Sequence, residues 1–227
     1  MIPFDENVVR LSVFLGVLCL CAIIEAVLPR KHRVHKRSQR WIVNIGLIIV
    51  DSVTVRLMGQ LTALSAAVYA SAQGWGLFNT IQLPLWLEIV LAILLLDMAI
   101  YVQHVASHKL PILWRFHRVH HADRDIDVTT GTRFHPIEIV FSMIYKCLVV
   151  ILFGPAALAV VLFEIILNAS AMFNHANIKL PLTIDRYVRL LIVTPDMHRV
   201  HHSVIPQETD SNYGFFLSVW DLSLIHI

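Results

Sequence analysis

Charge is scarce in this chain: 18 lysines and arginines against 16 aspartates and glutamates among 227 residues, a formal net charge of +2. So small an imbalance excludes the broad basic surface that binding to a phosphate backbone requires, and no nucleic-acid partner is expected. Cysteine is sparse as well. Cys19, Cys21 and Cys147 lie in apolar stretches without metal-ligand spacing, which excludes a disulfide framework or thiolate zinc site and reads as buried packing. A removable leader is not expected either. Asp5 and Glu6 precede the first apolar run where a signal peptide would carry basic residues, and no small-residue cleavage pattern follows, so that run is read as a retained helix.

Hydrocarbon, by contrast, is abundant, at 57% of residues. Leu11 to Leu28 is interrupted only by Glu25; Trp41 to Ala72 is broken by Asp51 and Arg56; Leu85 to Val102 carries Glu88 and Asp97. Each approaches or exceeds the roughly 20 residues that cross a bilayer as helix. Ile139 to Phe173 is long enough for two short crossings, and Gly154-Pro155 at its middle predicts a helical hairpin. The fold expected is an all-α integral-membrane bundle of about four spanning or hairpin elements. Basic residues gather in "RKHRVHKRSQR", Arg30 to Arg40, between the first two apolar runs, and such loops stay in the cytoplasm. Counting crossings from there puts the linker from Gln73 to Pro84 on the far side. It also brings the ten histidines from His104 to His202 to one cytoplasmic helical cap. His32 and His35, within the basic loop, read as lipid-headgroup contacts.

The same word, "HRVHH", is spelled at His117 to His121 and again at His198 to His202, and the flanks of the two copies do not match. A local repeat without a duplicated domain points to one chemical task performed twice. Each word places imidazoles at i, i+3 and i+4, neighbours on one helical face, and "QHVASH" places His104 and His108 four apart in the same way. Eight convergent imidazoles exceed what a single ion takes, so two metals are expected; spacing alone does not choose among Fe, Zn, Cu and Ni. Clustered imidazoles with little neutralising acid are a poor structural choice unless a cation holds them neutral. Asp97 lies seven residues before His104 and is expected to orient a ligating imidazole from a second layer. Arg56, Lys146 and Glu164 are read as snorkelling or pairing within the bundle.

HxxxH, HxxHH and a second HxxHH after a membrane helix containing an Asp closely resemble the fatty acid hydroxylase/sterol desaturase superfamily of integral-membrane di-iron enzymes. The likeness runs from about Trp41 to Asp221 and includes "LLLDMAIYVQHVASH", "LWRFHRVHHAD", "TTGTRFHPIE", "FNHANIKLP" and "TPDMHRVHHS". The flanks look most like bacterial sterol desaturase family proteins. The resemblance implies metal ligation by His104, His108, His117, His120, His121, His198, His201 and His202, and extends it to His175. Lys179 stands where some relatives carry a further histidine. His135 is implied as a ligand, a second-layer residue or a helix-start residue before Pro136.

The resemblance also implies two iron ions, O2 as co-substrate, and hydroxylation or desaturation of a fatty acyl, sterol or isoprenoid lipid drawn from the bilayer, with hydroxylation the first choice. Zinc could occupy the same ligands. No haem, flavin or iron–sulfur signature is appended, so an external electron-transfer protein is required. A membrane zinc hydrolase and a non-catalytic metal-handling protein remain alternatives, although neither word contains the activating carboxylate of an HExxH motif. A bacterial cytoplasmic membrane is the expected location, or the endoplasmic reticulum in a eukaryote. The terminal "LSLIHI" back-translates to CTG TCT CTT ATA CAC ATC, which resembles a transposase mosaic-end adapter. Residues 1–221 are therefore expected to form one domain, with 222–227 an artefact and His226 no ligand.

Overall fold

The computed structural model describes residues 5–224. His226 and the rest of the suspected tail beyond Leu224 lie outside the described residues. The chain begins with α1 (Glu6–Val27), whose first turn is capped by the Asp5 carboxylate accepting from Asn7 N at 3.0 Å. Next come α2 (Arg37–Leu57), α3 (Ala63–Gln73), the short α4 (Leu77–Thr80) and α5 (Leu85–Lys109). Pro111 opens α6 (Pro111–His121), and a 3-10 turn, Thr130–Thr132, leads to α7 (Pro136–Phe153) and α8 (Ala157–His175). Four short helices close the described residues: α9 (Leu182–Val188), α10 (Pro195–His201), α11 (Pro206–Thr209) and α12 (Val219–Leu224). Among the described residues there is no strand, only isolated bridges at Pro29–Ile178 and Ile192–Leu217.

Helices α1, α5, α7 and α8 are long and apolar enough to cross a membrane. Their outward faces are hydrocarbon: Leu11, Leu20, Ile23, Val90, Val102, Phe141 and Leu148 are exposed, an arrangement suited to lipid as solvent. Leu96, Ile100, Met143, Val150, Val160 and Phe163 pack between α5, α7 and α8.

The apolar run from Trp41 to Ala72 departs from expectation. It is not one crossing helix but a helix, a break and a helix, because Gly59 takes a left-handed conformation (φ 63°) and Thr62 starts a new helix by accepting from Ser65 N at 3.2 Å. The charged α2 is not among the helices apolar enough to cross. In α3, Ala63, Ala66, Ala67 and Ala70 form a buried face that packs on α7. Hydrocarbon gains little by leaving lipid for protein, so close approach of small residues carries the packing instead.

The α2–α3 pair still runs from one end of the bundle to the other. Arg40, near the start of α2, bonds Asp123 beside the first histidine word. After α3, Gly76 presses on Gly154 at the α7–α8 turn so closely that a Cβ on Gly76 would lie 2.3 Å from Gly154 N. The linker and the hairpin turn thus share one end, and the histidines gather at the other.

Candidate metal centre

Each expected ligand sits on a helix end. α5 delivers His104 and His108 in its last two turns, α6 carries the first word, α8 ends on His175, and α10 carries the second word, started by Thr194 accepting from Met197 N at 3.4 Å. Their nitrogens fall into two groups: His104, His108, His117, His121 and His201 in one, and His120, His175, His198 and His202 in the other, with the ligand atoms of each group all within 4.8 Å of one another. All nine histidines assigned as ligands from sequence are brought together. Each word divides its members. The first gives His117 and His121 to the five-membered group and His120 to the four-membered one; the second gives His198 and His202 to the four and His201 to the five.

Hydrogen bonds fix the tautomers. A carbonyl oxygen only accepts, so the ring nitrogen facing it must carry the proton. His104 Nδ1 donates to the Tyr213 carbonyl at 2.6 Å, His201 Nδ1 to the Ser211 carbonyl at 2.7 Å, His175 Nδ1 to the Ala171 carbonyl at 2.6 Å and His120 Nδ1 to the Arg133 carbonyl at 3.1 Å. His117 Nδ1 donates to Glu138 Oε1 at 2.6 Å. In the four rings held by carbonyls Nε2 is therefore a bare lone pair, and in His117 it is one when Glu138 is ionised. These lone pairs point at one another: His104 to His117 at 3.1 Å, His104 to His201 at 3.1 Å, and His120 to His175 at 2.9 Å. Facing lone pairs repel, and a cation between them turns the repulsion into ligation. His108 Nε2 and His121 Nε2 are buried with no hydrogen-bond partner among the described residues, as are Nδ1 of His198 and His202. The residues present fit a metal pair.

Burial, reinforced by neighbouring imidazoles, holds His117, His120, His121, His198, His201 and His202 well below the ordinary histidine value. They are neutral at pH 7, the form that binds metal.

The remaining sequence-assigned residues behave differently. His135 belongs to neither group; its Nδ1 accepts from Ile137 N at 3.1 Å and caps α7, the helix-start role. Asp97 does not meet His104. Its Oδ2 accepts from Leu217 N at 3.0 Å and Trp220 Nε1 at 2.8 Å, anchoring the C-terminal segment. Seven helical residues span about 10 Å, too far for a direct bond to the ring. Lys146 and Glu164 pair within the bundle at 2.8 Å, and Arg10 Nη2 joins Glu164 at 2.8 Å.

Glu138, the carboxylate that does orient an imidazole, was not singled out from sequence, although it stands in the quoted "RFHPIE". Two further supports were missed. Arg40 clamps Asp123 through Nε at 2.7 Å and Nη2 at 2.6 Å and reaches Asp127 at 2.7 Å, all buried. Burial works upward on the Asp123 carboxyl, yet the Arg40 guanidinium overrides it and holds the group at about 2. Asp221 accepts from Tyr213 N at 2.7 Å and Gly214 N at 2.8 Å, which sets the loop whose carbonyl holds His104.

Among known proteins, the chain is 28% identical over 218 residues to an ornithine lipid hydroxylase of Rhizobium tropici, covering 92% of this chain and 64% of that one. It is 31% identical over 173 residues to an alkylglycerol monooxygenase of Danio rerio (73% of this chain, 36% of the relative). Against the cholesterol 25-hydroxylase of Homo sapiens it is 26% identical over 140 residues (59% and 48%). The chain thus spans less than two-thirds of the length of each of these relatives. No solved structure matches it. The model of the fatty acid hydroxylase family matches residues 89–224, more than half of the chain and every one of the nine clustered histidines, and the chain belongs to that family.

Proposed function

We propose that this membrane protein is a di-iron oxidoreductase that hydroxylates a lipid C–H bond. The observation that carries the reading is the convergence of tautomer-fixed Nε2 lone pairs in two adjacent groups. Iron is favoured by number: the five imidazoles of one group exceed the four ligands usual for zinc.

Bound iron would supply O2 activation; the chain's residues do the holding. Backbone carbonyls and Glu138 keep the Nδ1 protons in place, α5, α7 and α8 exclude bulk water, and a cavity of about 150 Å3 beside His104 and His117 offers room for a substrate carbon. The overall balance is one C–H bond and O2, with two electrons and two protons, giving one C–OH and water. An external electron-transfer protein supplies the electrons. Arg30 (to Asp196), Arg33 (to Glu25) and Arg40 (to Asp123) tie the basic loop to the histidine end, which supports a cytoplasmic placement of the cluster. The hydroxylase and monooxygenase relatives favour hydroxylation over desaturation.

The test is purified, iron-loaded chain given membrane lipid, O2 and a chemical reductant. Two equivalents of iron and an O2-dependent product one oxygen atom heavier are expected. Zinc-supported turnover without O2 would overturn the proposal.

A further inference from the structure

Beside the metal groups, between α5 and α7, lie two adjoining cavities. The inner one, about 150 Å3, touches His104 and His117 and is walled by Ile100, Ile139 and Leu167. The outer one, about 180 Å3, is lined by Val102, Ala106, Leu113, Phe116 and Phe141. Gln103, Ser107 and Glu138 line both and form the partition. Each cavity alone is smaller than the roughly 300 Å3 at which ligand pockets begin, and joined they reach it. The outer cavity opens on the hydrocarbon flank of two helices able to cross a membrane: Val102 is 51% and Phe141 48% exposed. Its lining suits an alkyl chain and offers almost nothing to a charged or sugar-like ligand.

The partition is unequal in strength. Glu138 is held by His117 at 2.6 Å and Ser107 by the Gln103 carbonyl at 3.0 Å, both with small reach. The long Gln103 side chain is held by one bond, Ser142 Oγ donating to its Oε1 at 3.3 Å. Losing so weak a contact costs little, and an unbranched side chain regains rotamer freedom when it swings aside.

We propose that these cavities form a lateral entry for one hydrocarbon chain of a membrane lipid, which passes from the bilayer between α5 and α7, displaces Gln103 and presents a carbon to His104 and His117. The choice of lipid rests on the function proposed above. The seat itself is a geometric claim independent of turnover.

The experiment uses the full chain in membranes of cells fed an alkyne-tagged, diazirine-bearing fatty acid that is built into their phospholipids. After irradiation, labelled peptides are mapped. Label is expected at lipid-facing Val90 and Leu94 as a background, and also at the inner-cavity residues Ile139 and Leu167. Ala106→Trp, which fills the outer cavity, should cut inner-cavity label at least fivefold with background label and metal content unchanged. Gln103→Ala, which removes the partition, should raise it at least twofold. Inner-cavity residues that stay unlabelled while the background is labelled would overturn the entry, as would inner label indifferent to both substitutions. Inner label with the expected response in a protein that oxidises no lipid would retain the seat and refute the enzymatic reading instead.

Discussion

Glu138 is the sharpest place to test the metal-centre reading, because it touches one ligand of one group. Its Oε1 accepts the His117 Nδ1 proton at 2.6 Å, with the imidazole side chain 2% and the carboxylate 12% exposed. A carboxylate in that position raises the electron density at Nε2 and fixes the ring's aim. Glu138→Gln keeps an oxygen able to accept the proton but loses the charge, and charge-assisted bonds are about twice as strong as neutral ones. Glu138→Ala removes the acceptor altogether. Losing such a partner typically lowers metal affinity about 10- to 100-fold, so Gln belongs near the lower bound and Ala near the upper one, about 1.4 and 2.7 kcal/mol. His104, His108, His121 and His201 remain to hold the ion, which is why the loss stops there. Anaerobic competition for ferrous iron against a graded chelator measures it. Two binding steps are expected, with only one weakened. Both steps weakening equally, or neither, would refute the assignment of Glu138 to one metal.

Metal-free protein should lose stability in acid. Six imidazoles outside the crossing helices are held neutral in the fold, chiefly by burial, yet titrate near pH 6.5 when unfolded. Their contribution is therefore complete above about pH 6.5 and is lost as pH falls below it, so the melting temperature of chelator-treated protein should drop between about pH 7 and pH 5.5. A flat profile would contradict the neutral cluster. Arg40→Ala should cost about 3–5 kcal/mol by leaving the buried Asp123 and Asp127 carboxylates unpaired, read as a fall in melting temperature; loss under 1 kcal/mol would show that the clamp is incidental. Gly131→Ala should lower bound metal toward one equivalent. Its Cβ would lie 2.5 Å from the Ala171 carbonyl oxygen that fixes His175, so the four-histidine group fails first, and an unchanged stoichiometry would reject that coupling.

The clustering of these histidines was readable from sequence because i, i+3 and i+4 spacing survives folding: a helix carries its face wherever it goes. His104, His108 and both words reached the site on α5, α6 and α10 for that reason. The hairpin at Gly154 was equally legible, its turn marked by a residue that takes φ 60°. What directs the rings was not legible. Tyr213, Ser211, Ala171 and Arg133 act through backbone carbonyls, which any side chain supplies, so no residue type betrays them. Asp97 misled because an acid in an apolar helix looks like a partner for the next polar residue on its face; its bond instead reaches 120 residues ahead, to Leu217. The break in the second apolar run is marked by Gly59, a signal that the length of an apolar run does not carry.

The two copies of "HRVHH" do something that a pair of isolated sites would not need. If each word served one metal, its three imidazoles would enclose one ion and the two halves could drift apart without loss. Here each word surrenders its i+3 histidine, His120 or His201, to the group built around the other word. Moving α6 relative to α10 would therefore disturb both groups at once. In the proposed enzyme the two identical words would thereby fix the distance between two ions, on which two-electron chemistry shared by a metal pair depends. The separation of the two ions in that enzyme would be set by rigid one-turn steps along α6 and α10, with α5 adding His104 and His108 and α8 adding His175. Replacing His120 and His201 together should therefore lower oxygen-dependent product far more than it lowers total iron. A loss of iron in simple proportion to activity would instead mean that the words act as two independent clamps.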